Sequence, residues 1–161
     1  MTEVNLNSLF SSLESQANQL NSVAESANQA LEAAQTRLVN LNIGVEIWHS
    51  KPLDRSDLDG STNPNDTSIE VLSLLGFSKV DGKWCLALKK VRHESGFFEG
   101  DMSCPYTNEY LESPPVPLLN QSRNLRLSAL NMLPKFLEEI SEYVSNMLQE
   151  LSNTNSKLQG M

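Results

Sequence analysis

From Leu6, steps of four and three residues meet Phe10, Leu13, Ala17, Leu20, Ala24, Ala27, Leu31, Ala34, Leu38 and Leu41, and all of these positions are apolar. Most residues between them are Ser, Asn, Gln or Glu, so the apolar side chains form an a/d seam along one face of a helix. No Gly or Pro interrupts it. The pattern predicts one helix over residues 5–41, about 55 Å long at 1.5 Å per residue. That length suits a stalk or bundle better than the interior of a compact domain. A fainter eleven-residue echo in Leu9, Leu20 and Leu31 fits fewer positions than the heptad does.

A second seam follows in the C-terminal part, through Leu130, Leu133, Leu137, Ile140, Val144, Met147, Leu151, Thr154 and Leu158. It predicts a helix of similar length, entered through the stiff segment SPPVP and starting near Leu118. Pro134 lies inside it, where it removes the bond to the carbonyl of Leu130 and predicts a kink.

Between the helices the period changes from 3.6 to 2. GVEIWHS alternates Val45, Ile47 and His49 with Glu46, Trp48 and Ser50. SIEVLSLLGFSKV and KWCLALKKVRH flank Asp81-Gly82, a dipeptide suited to a type I′ turn. Pairing around that turn sets Leu75, Phe77, Trp84, Leu86 and Leu88 on one face, a core face. Gly76, Ser78, Val80, Lys83, Cys85, Ala87 and Lys89 fall on the other.

The expected fold class is therefore α+β. Long N- and C-terminal helices form an antiparallel stalk, with a small antiparallel β-meander of three or four strands between them. The segments are 1–42, 43–113 and 114–161, in one folding unit. The structure of residues 94–117 does not follow from pattern. A lone helical pair would expose much apolar surface, so two chains are expected to join in a four-helix bundle dimer. Its interface would use Leu6, Phe10, Leu13, Ala17, Leu20, Ala24, Ala27 and Leu31, with Leu137, Ile140, Val144, Met147 and Leu151.

Charge narrows the partners. Twelve basic against 20 acidic residues give a net charge of −8, which argues against nucleic acid and anionic membranes. With no signal-like start or spanning segment, the expected location is cytoplasmic, and Cys85 and Cys104 are expected as reduced thiols.

Against this acidic background, residues 76–93 carry Lys79, Lys83, Lys89, Lys90 and Arg92 with only Asp81 opposing them. The lysines either protect strand edges or attract an anion or an acidic partner. Together with Trp48, Trp84, Arg123 and Arg126 they form the candidate binding set, at the junction of head and helices.

Other chemistry finds little support. An EF-hand reading around Asp57, Asp59, Gly60 and Asp66 puts Arg55 at the first ligand position, where it cannot coordinate a cation. His49, Cys85, His93 and Cys104 lack the paired spacing of a zinc site. No catalytic motif is present, and no metal or cofactor is expected. The expected function is that of a non-enzymatic, oligomeric adaptor, assembly factor or chaperone-like protein. The alternative is a protein that binds a small anionic, nucleotide-like ligand.

Overall fold

The structure, a computed structural model, describes residues 5–57, 68–97 and 104–160. The element order is α1 (Leu6–Asn40), β1 (Ile47–Trp48), β2 (Asp54–Asp57), β3 (Ser68–Val80), β4 (Lys83–Phe97), β5 (Pro105–Pro117), a 3₁₀ turn (Leu118–Asn120) and α2 (Arg123–Gln159). The fold is α+β, with two long helices in contact and an antiparallel sheet between them in sequence.

Both helices begin at side-chain caps. Asn5 accepts a hydrogen bond from the Ser8 amide at 3.3 Å, and Ser122 Oγ accepts one from the Leu125 amide at 3.4 Å. The second helix therefore starts at Arg123 rather than near Leu118, because the segment after Pro117 first makes a 3₁₀ turn. The helix runs unbroken through Pro134, which is exposed. Replacing Pro134 with Ala restores the missing backbone donor without removing a buried contact. This variant is expected to be more stable by about 1–3 kcal/mol, read as a rise of several degrees in melting temperature.

The sheet order is β1-β3-β4-β5, with β2 also paired to β3. β1 and β2 are two pieces of one edge. Ile47 pairs with Phe77, while Asp54 pairs with Ser73, and the pairing is interrupted between them at a segment containing Pro52, which has no amide donor. The β3–β4 hairpin has the register expected from Asp81-Gly82, with Val80 opposite Lys83 and Leu75 opposite Leu88. Asp81 and Gly82 both have positive φ, 48° and 80°, as a type I′ turn requires. The unassigned residues 105–117 form a long third strand, β5, despite Pro114, Pro115 and Pro117. A sheet edge tolerates prolines because the outward side needs no amide donor.

One apolar core draws on all three segments. Leu75, Phe77, Leu86 and Leu88 line one face of the sheet, and Leu31, Leu38, Leu133, Phe136 and Ile140 cover it from the helices. β4 is unpaired by β5 before Ala87, where the Ala87–Pro117 pair begins. There Gln35 of α1 takes over, its Oε1 accepting the Leu86 amide at 3.0 Å.

The sense of the helix pair departs from the antiparallel expectation. Arg123 Nη2 donates to Asn21 Oδ1 at 3.0 Å near the start of α2, and Leu38 lines one groove with Ile140 further along. Both pairs are 102 residues apart in sequence, so α1 and α2 run in the same direction. At the same offset lie the buried Ala27 and Ala129, and the buried Leu31 and Leu133. A heptad seam fixes which face of a helix is buried but carries no information about direction.

Candidate functional site

Three surfaces bear on function: the second face of the hairpin, the contact between the strand break and α2, and the helix ends that overrun the core.

On the hairpin, Gly76 leaves a gap that Trp48 fills. The two residues are paired across β1 and β3, and a Cβ added at Gly76 would fall 2.1 Å from Trp48 Cε3. Lys89 closes the sandwich, its Nζ lying 4.4 Å from the Trp48 ring centroid, a cation–π contact. Trp48 Nε1 donates to Glu46 Oε1 at 2.5 Å, which fixes the rotation of the indole. The middle of this face is therefore covered by a tryptophan of the edge strand. Beneath and beside it Ser78, Cys85 and Ala87 are buried, and burial, with the Asp81 charge nearby, pushes the Cys85 thiol up.

The candidate basic residues are not gathered at one place. Lys79, Lys83 and Lys90 are exposed, and strand alternation sends Lys83 and Lys89 to one face and Lys79 and Lys90 to the other. Arg92 is engaged by Glu112 in a two-pronged ion pair at 2.9 and 3.1 Å. Trp84 stacks on Phe77 on the helix-covered face, with ring centroids 5.3 Å apart, so the two tryptophans lie on opposite sides of the sheet. Arg123 is bound to Asn21, and Arg126, next to the buried Ala129, has an Nε atom with no partner among the described residues.

The strand break builds a contact that pattern reading misses. Because β1 ends at Trp48, Ser50 turns toward α2, where its amide donates to Glu139 Oε2 at 3.0 Å and its hydroxyl donates to Glu139 Oε1. His49, buried against Phe136 with ring centroids 5.7 Å apart, places Nδ1 2.9 Å from Glu139 Oε2. The His49 Nδ1 contact is out of line for a hydrogen bond, and His49 Nε2 is buried with no partner among the described residues. Burial opposes ionisation of Glu139, but the Ser50 hydroxyl, His49 and the Ser50 amide together hold its carboxyl down at about 2. The sequence signal available was the prolyl break after His49; its partner, 89 residues away in α2, had none.

This contact predicts a pH dependence. A carboxyl whose pKa falls from 4.5 to about 2 on folding leaves the unfolded chain holding more protons between those values. Its stabilisation is thus complete above pH 4.5 and disappears as pH falls toward 2. In urea unfolding followed by circular dichroism, the stability gap between the parent and Glu139→Gln should be constant above about pH 5 and shrink below it.

The third surface is the largest. All residues from Asn5 to Val23 are exposed, because α2 begins only beside Asn21. All residues from Leu148 to Gly160 are exposed too, because α1 has ended. Among the interface candidates, Ala24, Ala27, Leu31 and Ile140 are buried within the chain, whereas Leu6, Phe10, Leu13, Leu20 and Leu151 are 65, 67, 57, 48 and 56% exposed. Where α1 stops, an open groove of about 500 Å³ lies between Leu38, Leu41 and Ile43 on one side and Leu137, Val144 and Leu148 on the other.

The calcium-like residues Asp59, Gly60 and Asp66 lie outside the described residues. Among the described residues no group of three or more His, Cys, Asp or Glu side chains is placed to hold a metal ion, and no helix is long and apolar enough to cross a membrane. Compared with protein-family models, curated proteins and solved structures, the chain matches none.

Proposed function

We propose that this protein is a non-catalytic, self-associating interaction protein. The helices join copies to one another, and the part of the sheet beyond the helices meets a different partner. The observation that carries the reading is the pair of apolar helix ends left uncovered by the described residues. Large exposed apolar stripes of this kind are costly in a monomer and are characteristic of interaction surfaces. The outer sheet offers a second surface, with Tyr110 and Leu111 half to two-thirds exposed on the edge strand β5. Open strand edges of this type accept a further strand from a partner. The small-anion alternative has less support, since Trp48 occupies the space at Gly76 and the basic residues are divided between the two faces of the sheet.

Sedimentation equilibrium tests the reading. The mass should rise above 17.9 kDa as concentration increases from about 1 to 200 µM, the range in which modest apolar interfaces associate. A constant 17.9 kDa across that range would exclude self-association.

A further inference from the structure

We infer that copies of this chain join head to tail, residues 6–20 of one copy lying parallel against residues 144–158 of the next. This rests on the self-association proposed above and specifies how it occurs.

The two overhanging segments carry the same apolar spacing. Leu6, Phe10, Leu13 and Leu20 are separated by four, three and seven residues, and so are Val144, Leu148, Leu151 and Leu158. Laid parallel at an offset of 138, every large apolar residue of the first set meets one of the second. Glu14 then falls level with Ser152, and Glu150 level with Ser12, so the carboxylates do not confront each other. Antiparallel placement is worse. With Leu6 at Leu158, Phe10 meets Thr154 and Leu148 meets Gln16. Pairing either segment with its own copy in antiparallel fashion likewise sets Phe10 against Gln16, or Leu148 against Thr154.

The parallel arrangement also continues an interface that already exists. Within the chain α1 packs parallel to α2, and the groove past Leu41 is the place where α1 would lie had it been longer. A second copy's α1 entering there extends the same packing of helix on helix. About a dozen large apolar side chains meet at such a junction, counting Leu41, Ile43 and Leu137 in the groove. At on the order of 100 Å² each this gives about 1,200 Å², the lower edge of the range for specific association. A reversible junction follows. Because the joined surfaces differ and lie at opposite ends of the helical pair, the contact does not close on two copies; it makes chains or rings.

Two full-length variants test this. One carries Phe10→Glu and Leu13→Glu, the other Leu151→Glu and Leu158→Glu; all four side chains are exposed, so the folded chain should keep the parent's circular dichroism spectrum. Serine at the same positions provides a gentler second pair. Each variant alone should lose self-association by at least about 100-fold and sediment at 17.9 kDa. An equimolar mixture should form a one-to-one complex and grow no further, since the intact α1 end of one fits the intact α2 end of the other. Assembly of either variant alone would overturn the proposal in favour of like-with-like pairing. A mixture that stays monomeric while the parent assembles would overturn it as well. A parent that does not assemble would instead remove the underlying self-association reading.

Discussion

Phe136→Ala is expected to destabilise the fold by about 3–5 kcal/mol, measured by urea unfolding. Phe136 is wholly buried and packs at the point where α2 meets both the sheet core and the His49 ring. The truncation removes apolar contact and leaves a cavity whose walls belong to separate elements, so collapse around it is incomplete. It also takes away the ring that orients His49, so the Glu139 contact should weaken along with the core. The helical signal should persist at low denaturant, since the ends of both helices depend on no contact with Phe136.

Gly76→Val is expected to have the second large effect, and a different kind of signature. A Cβ at this position lies 2.1 Å from the Trp48 ring, and the ring is held between Lys89 and the Glu46 carboxylate. The indole must leave. Exposing it forfeits roughly 2–3 kcal/mol of burial and about 0.5–1 kcal/mol of cation–π contact, and its fluorescence should shift to the red. Trp48→Ala removes the obstacle beforehand, so the two substitutions should be strongly non-additive. In the Trp48→Ala background, Gly76→Val should cost far less than in the parent, a coupling well above the few tenths of a kcal/mol typical of independent sites.

The features legible in the sequence were local ones. Asp81-Gly82 fixes the β3–β4 register because turn chemistry and alternation act within a few residues, and the Leu75, Phe77, Leu86 and Leu88 face followed from them. The two helices were legible from their seams. β5 was not, because its prolines mask strand character and its pairing with β4 supplies what propensity lacks. The direction of α2 relative to α1 was hidden for another reason: both directions bury the same seam, and the choice depends on contacts such as Asn21 with Arg123. Of the candidate site, the hairpin face of Gly76 was legible from the register, but Trp48 as the occupant of the space at Gly76 required the pairing of β1 with β3. The Ser50–Glu139 contact joins residues 89 apart and had no periodic signal at all.

The parallel, offset helix pair underlies both the exposed ends and their proposed use. It is tested most directly by a pulsed dipolar distance between spin labels at Leu13→Cys and Leu151→Cys in one chain. Cys104 is replaced by Ser, and the labelled protein is diluted in unlabelled protein so that only distances within a chain are read. With α1 and α2 parallel at an offset of 102, the two positions stand 36 residues apart along the bundle. The expected separation is about 54 Å at 1.5 Å per residue. An antiparallel pair of the same helices would bring the labels to on the order of 10–20 Å, the spacing of adjacent helices plus the label arms, and that result would contradict it.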